Sequence, residues 1–170
     1  LTLPQSLEDK FVIFSMSQWT HRKGFDKLIA AFTAELGDKE DCLFILKTFE
    51  SAEAGSAEQI ANTVKSIRAV VNKEEKKNNI LLLRGEGFGL TIFEAILNGV
   101  PVMVPDQGGH LDYIDSENKF MVSGMWDSCI VNNPVYSLDS EWYEPNIASA
   151  RQKLRLAYNM WKENTLAAAG

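Results

Sequence analysis

The chain has 170 residues, with 17 lysines and arginines against 23 aspartates and glutamates, for a formal net charge of −6. Apolar residues supply 45% and charged residues 24%, which excludes a disordered or fibrous chain and leaves material for one ordinary core. The acidic balance argues against a generic polyanion binder. Nucleic acid and anionic membranes are therefore not expected partners, and any phosphate has to be held by a local site.

No run approaches the roughly 18 apolar residues of a membrane-spanning helix. The most apolar stretch, Ile92 to Val104, is interrupted by Glu94, Asn98, Gly99 and Pro101. The opening LTLPQSLEDK lacks the basic-then-apolar pattern of a signal peptide, and it lacks an initiator Met, so the chain is expected to be trimmed or part of something longer. Cys42 and Cys129 are far apart and neither stands in metal-ligand spacing. No disulfide framework, metal or cofactor is expected, and the reading is a reducing, cytoplasmic compartment.

In chain order, Phe11 to Met16 reads as a buried strand. Phe25, Leu28, Ile29, Phe32 and Leu36 follow at helical spacing, and Gly37 closes that helix. Cys42 to Leu46 is a second strand. Ser56 and Gln59 form a capping box ahead of an apolar face at Ile60, Val64, Ile67 and Val71. Ile80 to Leu83 is a third strand, Leu90 to Leu97 a short helix stopped by Gly99 and Pro101, Val102 to Val104 a fourth strand and Phe120 to Val122 a fifth. Ser123 to Glu144 has no clear period and reads as an ordered surface loop, whose aromatics between Trp126 and Tyr143 are expected in the core rather than as a sugar-stacking platform. A last helix over 145–165 places Leu154, Ala157, Tyr158 and Trp161 on one face and is expected to pack back on the rest. Alternating strands and helices predict an α/β fold: one Rossmann-like unit over 1–170, with a parallel sheet and helices on both faces.

Parallel sheets of this kind bind ligands at the carboxyl ends of their strands, and two turns are expected there. RGEGFGLTIFEAILNG, from Arg84 to Gly99, carries glycines at 85, 87 and 89 between a strand and a helix. Glycine lets the backbone approach a phosphate closely, and the free N–H groups of a helix start point at the anion. The bland alternative is a tight strand-to-helix turn. Glu86 in the turn and Glu94 in the first helical turn add two carboxylates, which accept from sugar hydroxyls; Glu94 alone is also what a helix dipole favours. SQWTHRKGF, from Ser17 to Phe25, joins the first strand to the first helix, and its Arg22 and Lys23 suit a diphosphate unless they are simply a solvated basic turn.

Four blocks together resemble the carboxyl-terminal domain of retaining family 4 glycosyltransferases with the GT-B fold: SQWTHRKGFDKLIAAF, GEGFGLTIFEAILNGVPVMVP, GGHLDYI and WYEPNIASARQKLRLAY. The resemblance implies a nucleotide-diphosphate-sugar donor carrying UDP or GDP, held without a metal. It implies catalytic roles for Glu86, at the donor sugar, and for Lys23, at the diphosphate. Glu94 would hold the ribose, and the amides around Gly87, Phe88, Gly89 and Leu90 the distal phosphate and sugar. Gln18 stands where the family usually has an arginine and is counted in the binding set, with Arg22 as that arginine's substitute; Thr91 stands where the family has proline. Family members also carry a further helix and strand between the third strand and the glutamate pair, whereas here Leu83 runs into Arg84 and Gly85; an unseen segment is expected there rather than a true deletion. The amino-terminal GT-B domain is missing, so the chain reads as half of a two-domain enzyme, inactive alone.

Two other readings stay open. ILLLRGEGFG followed by Asp106 imitates a Rossmann fingerprint for a dinucleotide or S-adenosylmethionine, although the third glycine comes one residue early and Arg22 and Lys23 are left unused. The chain could equally be a nucleotide-sugar binding fragment without turnover.

Overall fold

Phe11–Met16 forms β1, the helix Phe25–Leu36 is α1, and Cys42–Thr48 returns as β2. These bounds come from a computed structural model that describes residues 7, 9–48, 55–71, 79–84, 91–115, 117–128 and 140–166. The helix Ala57–Val71 is α2, Ile80–Arg84 is β3 and Thr91–Leu97 is α3. Short strands Val104–Pro105 (β4) and Met121–Val122 (β5) follow, then Gly124–Ser128 (β6), Glu141–Pro145 (β7) and the helix Ile147–Lys162 (α4).

The architecture is α/β. The main sheet has the order β1-β2-β3, and both pairings are parallel, with Ile13 beside Phe44 and Phe44 beside Ile80. β4 and β5 also pair in parallel, but as a separate two-stranded piece. The expected fourth strand therefore starts at Val104 rather than Val102, and its hydrogen bonds go to β5 rather than to the main sheet. β4 ends on Pro105, and Pro101 stands three residues before its start; proline has no N–H to donate, which keeps this ladder short. Val122 of β5 nonetheless belongs to the same apolar cluster as Phe11, Phe44 and Leu46, and Met103 packs against it.

That cluster forms because the strands and helices present matching stripes. Phe11, Cys42, Phe44, Leu46 and Ile80 share one sheet face in register, and α1 lays Ile29, Phe32 and Leu36 against it. The Phe32 and Phe44 rings meet at 5.3 Å between centroids, and burying a side chain of this size contributes about 2–3 kcal/mol. α2 adds Val64; α4 adds Ala150 and Leu154, with Ala157, Tyr158 and Trp161 at the margin. α1 lies between α2 and α4. The opposite sheet face carries Phe14, Ile45, Leu81 and Leu83 by alternation, and Phe14 there is 54% exposed.

Local signals read from the sequence reappear. Ser56 and Gln59 make the reciprocal capping box, Ser56 N–H to Gln59 Oε1 at 2.7 Å and Gln59 N–H to Ser56 Oγ at 3.3 Å. Gly37 ends α1. Gly99 sits at φ +66° just past α3, the left-handed position a helix stop favours in glycine. Asn146 caps α4 by accepting from the amides of Ala148 and Ser149. Ile147–Lys162 falls within the helix expected over 145–165, and it packs on α1.

Ser123–Glu144 corrects the sequence reading. It is not simply a surface loop: β6 and β7 pair antiparallel as a hairpin, with Trp126 opposite Tyr143 and Asp127 opposite Trp142. Nor does Trp126 enter the core; it is 59% exposed and meets the Tyr143 ring edge-on at 5.6 Å. What fixes the hairpin is polar. The Gly124 amide donates to the Tyr143 hydroxyl at 2.6 Å, and that hydroxyl donates to the Asp106 carboxylate just past β4. A Cβ on Gly124 would lie 2.2 Å from the Glu144 carbonyl oxygen, so only glycine fits at this crossing. No helix among the described residues is long and apolar enough to cross a membrane.

Candidate functional site

The main sheet sets the geometry of the site. Met16, Lys47 and Leu83 lie in one register row, and Thr48 pairs with Arg84 one step further, so the three carboxyl ends form a common edge. β1 runs into the basic turn, and β3 ends at this edge one residue before the glycine-rich segment begins, with β2 between the two strands.

The basic turn has a defined shape. Ser17 N–H still donates to Lys47 O at 3.3 Å, which keeps β1 paired one residue beyond its end. His21–Lys23 then makes a 3-10 turn, Lys23 N–H bonding Thr20 O at 3.0 Å and Gly24 N–H bonding His21 O at 3.0 Å. Gly24 takes φ +64° and starts α1. Trp19 stacks on Phe25 at 5.0 Å with 17° between the rings, so it covers the turn. Gln18, Arg22 and Lys23 are all exposed, and no described carboxylate pairs with Lys23 in an ion bridge. Partial burial of the Lys23 ammonium, and the Arg22 charge beside it, hold its pKa below the usual lysine range. Two adjacent cations that already repel each other gain more from an anionic ligand than either would alone.

At the second turn, Glu86, Gly87, Phe88, Gly89 and Leu90 lie outside the described residues, as does Gly85, where the abrupt join with β3 was expected. Their neighbours are placed: β3 ends at Arg84 and α3 begins at Thr91. Glu94 is exposed in the first turn of α3, and Phe93 beside it meets Tyr113 edge-on at 5.8 Å. At the carboxyl end of β2 stands Thr48, 4% exposed, whose hydroxyl has no hydrogen-bond partner among the described residues. A buried hydroxyl left unsatisfied costs about 1–3 kcal/mol.

Several neighbouring polar residues are engaged within the fold. His110 Nε2 lies 2.7 Å from Pro105 O, folded under Gly108, whose φ of +133° and missing Cβ make room for the ring. Asp106, the acid of the dinucleotide alternative, accepts from the Tyr143 hydroxyl. Asp112 ends a 3-10 turn, Gly109–Asp112. Cys42 is buried in β2, where loss of hydration and the Asp41 charge push its thiol up to about 12; Cys129 lies outside the described residues. No group of three or more potential metal ligands occurs among the described residues.

Comparison with known proteins bears on the same segments. A family model described as family 4 glycosyltransferase in conflict systems matches residues 47–158, well over half of the chain. The α/β fold and this match define the class: the chain belongs to that glycosyltransferase family. The matched span contains the glycine-rich turn, both glutamates, GGHLDYI and WYEPNIASARQKLRLAY; the basic turn at Ser17–Phe25 lies before it. No curated protein matches the chain.

Sequence reasoning missed Lys27, Asp127, Trp142 and Glu144, which line a cleft beside His21. Antiparallel pairing of two aromatic-rich runs was the missing signal, and the Asn-Asn-Pro sequence at 132–134, of a composition that favours turns, could have suggested it.

Proposed function

We propose that the chain is the donor-binding half of a two-domain, retaining GT-B glycosyltransferase, which moves a sugar from a UDP- or GDP-sugar to an acceptor without a metal. The observation that carries this reading is the family match across the glycine-rich turn and its glutamate pair, combined with a second, basic turn leaving the same sheet edge. Membership also suggests a role in a conflict system, in the words of the family's description. A reducing, cytoplasmic setting fits the buried, unpaired Cys42.

In this reading Lys23 and Arg22 meet the diphosphate, and the amides of Gly87 to Leu90 take its distal phosphate. Charge builds on the departing diphosphate as the sugar becomes oxocarbenium-like. A positioned cation at that point is typically worth about 3 kcal/mol. Glu86 orients the donor sugar and Glu94 accepts from the ribose hydroxyls. Gln18, exposed ahead of the turn, accepts or donates at the rim. The amino-terminal domain supplies the rest of the cleft, so the chain alone binds donor without transferring it.

A thermal-shift panel tests the class. UDP- and GDP-sugars should raise the melting temperature of the purified chain, while NAD and S-adenosylmethionine should not. Stabilisation by either of the latter, with none from nucleotide sugars, would overturn the proposal in favour of the dinucleotide or methyl-donor alternative.

A further inference from the structure

Between the β6–β7 hairpin, the first turn of α1 and the start of α4 lies an open cleft of about 460 Å³, within the size range of small-molecule sites. Its hairpin wall is one face of the ladder, where Asp127 stands opposite Trp142 and Met125 opposite Glu144. Its other wall brings His21 and Lys27. Lys27 Nζ lies 3.4 Å from Glu144 Oε2, His21 Nε2 lies 4.0 Å from Glu144 Oε1, and the His21 and Trp142 rings are 5.5 Å apart. The Glu144 side chain is thus held in one orientation from two sides.

The chemistry of the lining selects its ligand. Lys27 on one side and Asp127 and Glu144 on the other leave one carboxylate in excess, which argues against an anionic ligand, and Lys27 already neutralises much of Glu144 against a bare cation. A carboxylate has about four acceptor positions, so Lys27 and His21 leave Glu144 able to take hydroxyl donors. Trp142 supplies an aromatic surface for an apolar ring face. Hydroxyl acceptors, an ammonium donor and an indole around one cleft suit a pyranose ring, with polar edges and apolar faces. We infer that this cleft binds a neutral saccharide against Trp142, with its hydroxyls donated to Glu144 and Asp127. His21 opens the 3-10 turn that contains Arg22 and Lys23, so the bound saccharide lies beside the turn assigned to the donor. Its service as acceptor rests on the glycosyltransferase reading above; its binding does not.

The test follows the four tryptophan indole N–H resonances of the ¹⁵N-labelled chain during titration with maltose, cellobiose and methyl α-mannoside, and separately with UDP. At least one saccharide should move the Trp142 resonance, assigned with Trp142→Phe, with a dissociation constant on the order of millimolar. Glu144→Gln should weaken binding about tenfold, as expected when a charged acceptor is lost. Asp127→Asn, an exposed change that leaves the fold intact, should weaken it about threefold. An unmoved Trp142 resonance with all three sugars in the tens of millimolar, or equal affinity in wild type and Asp127→Asn, overturns the inference. Binding of UDP or, titrated likewise, GDP without saccharide binding removes the cleft and keeps the donor site; saccharide binding with neither UDP nor GDP bound keeps the cleft and removes the donor reading.

Discussion

The amide of Gly24 donates to the carbonyl of His21 at 3.0 Å, and Gly24 does so from φ +64°. That bond closes the 3-10 turn that carries Arg22 and Lys23. A Cβ here would meet nothing within 4 Å, so the demand on glycine is conformational rather than steric. Gly24→Ala should therefore destabilise the chain by about 1 kcal/mol, and Gly24→Asn by less, because asparagine tolerates the left-handed region. Urea denaturation of the three proteins checks the order.

Acid should act first on the docking of α4. Glu35 in α1 accepts from Arg155 Nη2 at 2.8 Å and from Arg151 Nε at 3.3 Å, while Asp41 accepts from the Tyr158 hydroxyl and pairs with Lys162. Burial raises the Glu35 pKa, but its two arginines together outweigh burial and leave it lowered; Lys162 and Tyr158 likewise hold Asp41 down against burial. A carboxylate with a lowered folded pKa contributes stability that is fully present above its unfolded value and is lost as pH falls through the folded value. Stability should thus decline below about pH 4.3, the ordinary glutamate value, and Glu35→Gln should flatten that limb. Near neutrality the same change should lower stability by about 1 kcal/mol, because the arginines are largely solvated. Thermal melts from pH 3 to 7 read both effects.

Thr48 offers a test of what the sheet edge is built for. Its buried hydroxyl has no partner, and valine keeps nearly the same shape. Thr48→Val should stabilise the free chain by about 1 kcal/mol. If the edge is a ligand site, the same variant should bind UDP more weakly than wild type. Differential scanning calorimetry with and without UDP separates the two effects.

On the proposed two-domain reading, the two glutamates should differ in the complete enzyme. Glu86→Gln should mainly lower kcat, if it contacts the donor sugar as proposed and that contact matters as the sugar distorts. Glu94→Gln should mainly raise KM, the pattern of binding lost equally in ground and transition states. Steady-state kinetics with varied donor distinguishes them, and identical behaviour of the two variants would contradict the separate roles.

How much of this was legible depended on period. The strands at Phe11 and Cys42 and the helices at Phe25 and Ile147 carry long apolar patterns, and they stand close to where the sequence puts them. β4, two residues long, has too short a run to give a period at all. The hairpin escaped because its pairing rests on Gly124, Tyr143 and Asp106, three residues far apart in sequence that meet through hydrogen bonds rather than apolar alternation. For the site, the sequence identified the basic turn and Glu94 at strand-to-helix junctions, and both stand there. It could not show that Glu144 faces Lys27 and His21, because that contact exists only once α1 and the hairpin pack together.

Isothermal titration of UDP and GDP into the wild-type chain and Lys23→Ala, with and without a chelator, tests the central claim most directly. One nucleotide should bind, equally well with the chelator, and Lys23→Ala should weaken it about tenfold or more. Because the Lys23 pKa is lowered in the free protein, the affinity should fall as pH rises through that lowered value, before the ordinary lysine value of about 10.4 is reached. Absence of binding by either nucleotide, strict dependence on a divalent ion, or an affinity unchanged in Lys23→Ala would contradict the account.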